Sequence, residues 1–139
     1  MTQRRGLLSS AYDPFPHPGY IWAFQQAVES RLCDTIIAAV NAEPHIERPW
    51  KHPPVMTVQE RCMMVGVIRY VSVVIVYHTE QELLDWMAAN RPDLRILGED
   101  YIGKRFPGDD MGIPTFYAKR TDWSRTDIVA RINGDSIKP

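Results

Sequence analysis

Gly6-Leu7-Leu8-Ser9-Ser10-Ala11-Tyr12-Asp13-Pro14-Phe15-Pro16-His17-Pro18-Gly19-Tyr20 holds the change of rhythm around which the chain is arranged. The apolar run from Gly6 leads in as a short buried strand ending near Tyr12. A helical pattern follows from Gly19 to Leu32, with Ile21, Phe24, Val28 and Leu32 close to the spacing of one helix face. The segment between is a strand-to-helix loop with an acid, a histidine, three prolines and a glycine at the helix start. Helix starts carry unpaired N–H groups and partial positive charge, so they seat phosphate. Gly19 lacks a Cβ and admits close approach, His17 can donate to a phosphate oxygen, and the prolines pre-order the loop. The plain alternative for the same residues is a rigid connector.

Outward from this loop, strands and helices alternate. Thr35 to Asn41 is almost continuously apolar, the mark of a strand covered on both faces. A polar segment from Ala42 to Met56 carries His45, Glu47, Arg48, Lys51 and His52, and is long for a connection in a compact domain. Thr57 and Glu60 form a capping-box pair that opens a helix to about Arg69, with Val58, Met63, Val65, Val67 and Ile68 as core candidates. Val71 to Tyr77 is a third strand. Thr79 and Glu82 open a helix to Ala89, and Leu94 to Leu97 is a fourth strand. A loop rich in glycine and charge runs from Gly98 to Gly108, Pro114 to Ala118 is a fifth strand, and a last helix starts near Ser124. The order predicts one α/β domain over residues 1–139: a Rossmann-like, parallel five-stranded sheet with helices on both faces. Ligands of such sheets bind beyond the carboxyl ends of the strands, where the strand order switches.

The totals fit this reading. The chain has 139 residues and a formal net charge of −1, which argues against broad nucleic-acid binding. No apolar run approaches the roughly 20 residues needed to span a bilayer, and Met1 to Arg5 is not followed by a signal-like segment, so a cytoplasmic protein without a membrane partner is expected. Cys33 and Cys62 are far apart, with no Cys-x-x-Cys spacing for zinc or redox chemistry.

Four blocks in order resemble the nucleotidyltransferases with the His-x-Gly-His signature, most closely the glycerol-3-phosphate cytidylyltransferase branch. They are Tyr12-Asp13 with His17-Pro18-Gly19-Tyr20; Glu60-Arg61 with Ile68-Arg69-Tyr70-Val71; Leu97-Gly98-Glu99-Asp100-Tyr101-Ile102-Gly103-Lys104; and Arg120-Thr121-Asp122-Trp123-Ser124-Arg125-Thr126. The resemblance spans about Leu7 to Ile132. It implies transfer of a nucleotidyl group, CMP from CTP, to a small phosphorylated acceptor such as glycerol 3-phosphate, with release of pyrophosphate. By the same resemblance His17, Lys51 (or Arg48), Arg120 and Ser124 act in catalysis. Tyr12, Asp13, Gly19, Tyr20, Asp100, Thr121, Arg125 and Thr126 hold the nucleotide. Arg61 and Arg69 hold the acceptor phosphate or form structural ion pairs. The resemblance implies no protein metal site, Mg²⁺ brought with the nucleoside triphosphate, and a homodimer. Three departures stand out: Tyr20 replaces the second signature histidine, the first loop is one residue longer, and Arg125 replaces a small hydroxyl residue. An adenylyltransferase of the same fold, and a nucleotide-binding regulatory protein without turnover, are the alternatives.

Overall fold

A computed structural model describes residues 2–119 and 125–134, with the side chains of residues 125–127 outside the description. β1 (Arg5–Ser10), β2 (Thr35–Asn41), β3 (Val71–Tyr77), β4 (Leu94–Gly98) and β5 (Thr115–Ala118) form one parallel sheet in the order β3-β2-β1-β4-β5. The helices are α1 (Pro18–Glu29), α2 (Pro44–Glu47), α3 (Val58–Gly66), α4 (Glu80–Asn90) and α5 (Arg125–Ile132), with a 3-10 turn over Glu99–Tyr101. The fold is the expected Rossmann-like α/β arrangement. The chain runs outward from β1 through β2 to β3, then returns to place β4 on the other side of β1. The switch in strand order therefore falls between β1 and β4.

The period of two along each strand sorts side chains to two faces. Leu8, Ile36, Ala38, Val40 and Ile96 pack with Ala23, Phe24 and Ala27 of α1 and Val65 of α3. Leu7, Ile37, Ala39 and Tyr77 pack on the opposite face with Leu83 and Met87 of α4. Each fully buried aliphatic side chain of β2 contributes about 1.5–3 kcal/mol relative to exposure. The capping box at α3 is complete: Thr57 Oγ1 accepts from Glu60 N at 3.1 Å, and Glu60 Oε1 accepts from Thr57 N at 2.8 Å. At α4 only half of it forms. Thr79 accepts from Glu82 N at 3.2 Å, while the Glu82 carboxylate turns to His78 N.

Several boundaries and faces differ from the sequence expectation. β1 stops at Ser10, because the chain turns sharply at Tyr12, whose φ is 54°. α1 begins at Pro18 and ends at Glu29, followed by Arg31 in the left-handed region, so Leu32 lies outside the helix and is exposed, as is Ile21. α3 ends at Gly66; Met63 and Val67, expected in the core, are 67% and 82% exposed. The long polar segment after β2 is partly folded, with α2 starting at Pro44.

Cys33 shows how tightly β1 is packed. A Cβ added to Gly6 would lie 2.9 Å from Cys33 Sγ and 3.0 Å from Ile96 Cδ1. Burial, with Asp34 adding to it, pushes the Cys33 thiol up to about 11. Its unfolded counterpart ionises first as pH rises, so the unfolded state binds fewer protons between the two pKa values and stability falls there. Urea titrations from about pH 8 to about pH 10 are expected to show a steeper loss of stability in the wild type than in Cys33→Ala. Equal slopes would mean the thiol is not held neutral by the fold.

Candidate functional site

The sheet's carboxyl edge opens into a cavity of about 820 Å³, within the usual range for small-molecule sites. The loop after β1 forms one wall, with Asp13, His17, Gly19 and Tyr20. The segment after β2 adds Arg48, Trp50, Lys51 and His52. Gly98, Asp100, Tyr101, Phe106 and Pro107 come from beyond β4, and Lys119 follows β5. Tyr77 and Glu80, at the end of β3 and the start of α4, also contribute, although that loop was not expected to carry chemistry.

His17 is the N-cap of α1. Its Nδ1 accepts from Gly19 N at 3.0 Å, and its carbonyl accepts from Tyr20 N at 3.0 Å. The amides of Gly19 and Tyr20 are thus engaged by His17 itself. With Nδ1 an acceptor, the proton of the neutral ring sits on Nε2. The imidazole packs on Tyr20 with ring centroids 4.4 Å apart, and the Tyr20 hydroxyl hydrogen-bonds Ser10 Oγ. That bond fixes the tyrosine against the end of β1.

Two residues expected to touch the nucleotide are chiefly structural in their contacts. Tyr12 is fully buried, its hydroxyl donating to Leu8 O at 2.6 Å and its ring 4.7 Å from that of Tyr20. Its burial offsets the roughly 1–2 kcal/mol that a left-handed backbone costs a non-glycine residue. Asp13 lines the cavity, but its carboxylate accepts from Val55 N at 2.9 Å and Met56 N at 2.8 Å. It therefore ties the segment after β2 to the loop after β1.

Arg61 and Arg69 do not reach the cavity wall. Arg61 is 1% exposed and donates to five carbonyls: Ala11, Asn41, Ala42, Met56 and Thr57, at 2.7 to 3.3 Å. It clamps the ends of β1 and β2 to the start of α3. Burial pulls its guanidinium below its ordinary value, and the Asp13 carboxylate opposes this. Arg69 is exposed; it donates to the Tyr70 hydroxyl at 2.8 Å and lies over that ring. Neither guanidinium lines the cavity: that of Arg61 is engaged by backbone oxygens and that of Arg69 sits on a neighbouring aromatic side chain, and neither takes part in an ion pair among the described residues.

Lys51 and Asp100 line the cavity, as does Arg48, which pairs with Glu80 at 3.6 Å. Arg120, Thr121 and Ser124 lie outside the described residues, as do the side chains of Arg125 and Thr126 at the start of α5. Among the described residues no cluster of three or more His, Cys, Asp or Glu is placed to hold a metal ion. None of the described helices is long and apolar enough to cross a membrane.

Sequence reasoning missed Ser9, Asn41, Tyr77, Arg95 and Gln26. Gln26 grips the exit of β5: Lys119 N donates to its Oε1 at 2.9 Å, and its Nε2 donates to Lys119 O at 3.3 Å. Arg95 stands alone in an otherwise apolar strand, and a lone charge in a buried strand was the signal available for it.

No protein-family model matches the chain. The chain is 27% identical over 139 residues to the bifunctional protein HldE of Caulobacter sp. (strain K31), covering 95% of this chain and 28% of that protein. It is 31% identical over 108 residues to HldE of Hyphomonas neptunium (strain ATCC 15444), covering 76% of this chain and 21% of that protein. The chain spans about a quarter of the length of the curated relatives it matches. Its fold is similar to that of the lipopolysaccharide core biosynthesis protein from Thermoplasma volcanium GSS1, with a TM-score of 0.65 at 18% identity, covering 88% of this chain and all of that one.

Proposed function

We propose that this chain transfers a nucleotidyl group from a nucleoside triphosphate to a small phosphorylated acceptor, releasing pyrophosphate. The observation that carries this reading is His17 at the cap of α1, its Nδ1 committed to the backbone and its ring on the wall of a cavity at the strand switch. In the reaction an oxygen of the acceptor phosphate bonds to the α-phosphorus, and the bond from that phosphorus to the bridging oxygen breaks. The electron pair leaves with pyrophosphate. The nucleophile is already an anion, so positioning and charge stabilisation suffice. His17 Nε2–H and Lys51 are the groups we assign to the triphosphate. Mg²⁺ supplies charge neutralisation when it is bound to the nucleotide, held by phosphate oxygens and water.

CTP as donor rests on the motif resemblance, with an adenylyl donor as its alternative. For the acceptor we place a sugar phosphate ahead of glycerol 3-phosphate, a choice supported by the similarity to the HldE proteins. The second reading, a nucleotide-binding protein without turnover, is favoured by Tyr20, which stands in the signature and is bonded to Ser10. Thermal shifts with the four ribonucleoside triphosphates test the shared part of both readings, because a ligand of the folded state raises the melting temperature. No shift with any of them would remove the nucleotide from the account.

We also propose a homodimer through the β3 edge and α3, where Met63, Met64, Val67, Val73 and Val76 are exposed. Sedimentation equilibrium is expected to give a dimer that Val67→Glu converts to monomer. A wild-type monomer at high concentration would contradict it.

A further inference from the structure

The two serines at the end of β1 divide the cavity. Ser10 turns to Tyr20 on the α1 face. Ser9 turns to the α4 face, where its hydroxyl accepts from Arg95 Nη2 at 3.2 Å. Asn41 follows Ile37 and Ala39 in the alternation of β2 and is in register with Tyr77, so it belongs to the same face. Tyr77, Asn41, Ser9 and Arg95 thus form a polar row across β3, β2, β1 and β4, and all four line the cavity.

This row contains three anomalies. Arg95 is 2% exposed, and among the described residues no carboxylate lies within ion-pair distance of it. Its Nη1 donates to Pro107 O at 2.7 Å and meets Met87 Sδ at 3.4 Å, and its guanidinium lies 5.6 Å from the Phe106 ring centroid. Its Nε, however, has no hydrogen-bond partner, and neither has Asn41 Oδ1. A buried cation without a counter-ion and two buried polar atoms without partners are each costly to a fold. A ligand that brings an anion and hydroxyl groups would satisfy all three.

We propose that this row is the acceptor subsite, that Arg95 is its anion anchor, and that the ligand is a phosphorylated polyol of the sugar-phosphate class. The attacking phosphate meets the guanidinium, and ligand hydroxyls meet Asn41 and Tyr77. The nucleotide then occupies the α1 face, beside His17. This assignment rests on the transferase reading above, while the anion site itself can be tested apart from it.

Inorganic phosphate is the probe, titrated calorimetrically into the wild type, Arg95→Met and Arg95→Lys. Phosphate affinity is expected to fall at least tenfold in Arg95→Met and to recover in part in Arg95→Lys, with the nucleotide-induced thermal shift unchanged in both. Equal phosphate affinity in wild type and Arg95→Met would overturn the subsite. Should Arg95→Met not fold, since Arg95 also holds Pro107, the wild type and Arg95→Lys carry the test. The Arg95 Nε–H resonance, assigned by its disappearance in Arg95→Lys, is expected to move on phosphate addition; a stationary resonance overturns the proposal. Phosphate binding that depends on Arg95 without any nucleotide binding would uphold the anion site and remove the transferase reading. Under turnover, loss of Arg95 is expected to raise KM for the acceptor at least tenfold and leave KM for the nucleotide unchanged.

Discussion

Arg61→Met is expected to cost about 3–5 kcal/mol of folding stability, the range seen when a buried charged group is stripped from its partners. The substitution takes the shared side-chain donor from five carbonyls, on Ala11, Asn41, Ala42, Met56 and Thr57, of which Thr57 O keeps the Arg61 backbone N–H at 3.0 Å. Buried acceptors left unsatisfied cost roughly 1–3 kcal/mol each, though some will find water. Against a total stability of about 5–15 kcal/mol, the loss is a large share. Arg61→Lys is expected to restore little, because one ammonium with three donors cannot span five oxygens set around a planar fork. Chemical denaturation checks both. An acceptor-binding Arg61 would behave in the opposite way: Arg61→Met would keep the wild-type midpoint and raise KM for the acceptor.

The second large effect is at His17. His17→Ala is expected to lower turnover at least tenfold, about 1.4 kcal/mol of transition-state stabilisation. It also removes the cap that accepts from Gly19 N, which costs about 1 kcal/mol of stability. The two losses separate in His17→Asn. An asparagine oxygen can accept from the same amide, so the melting temperature should return toward the wild-type value. Its side chain offers nothing at the position of Nε2, so turnover should stay low. Steady-state kinetics beside thermal denaturation reads both. Full turnover in His17→Asn would show that the imidazole acts only as a cap.

These two residues mark what could and could not be read from the chain. The parallel sheet was legible because β2 and β3 are mostly apolar runs with a capped helix between them, and because the polar loops fall beyond the same strand ends. The location of the cavity followed from that order. Burial on a particular face did not. Met63 and Val67 fit a helical stripe yet are exposed, since α3 ends at Gly66 and Val67 lies past its last turn. Arg61 fits an anion-binding motif equally well as a clamp, and only the carbonyls converging on it from three segments distant in sequence decide between them. Tyr12 gave no sign of its left-handed backbone, because a bulky residue adopts one only when tertiary packing compensates. Arg95 was passed over for the converse reason. Its neighbours in β4 read so clearly as core that its charge drew no attention. The last block, Arg120 to Thr126, remains a sequence resemblance, its side chains lying outside the described residues.

The proposed reaction joins a nucleotide to a phosphorylated sugar in the cavity between β1 and β4. It is tested most directly by pyrophosphate release, with each of the four ribonucleoside triphosphates and Mg²⁺, in the presence and absence of a panel of sugar phosphates. The account expects release that requires both a particular nucleotide and a sugar phosphate, and that falls at least tenfold in His17→Asn. A protein that binds nucleotide and releases no pyrophosphate with any acceptor in the panel would contradict it.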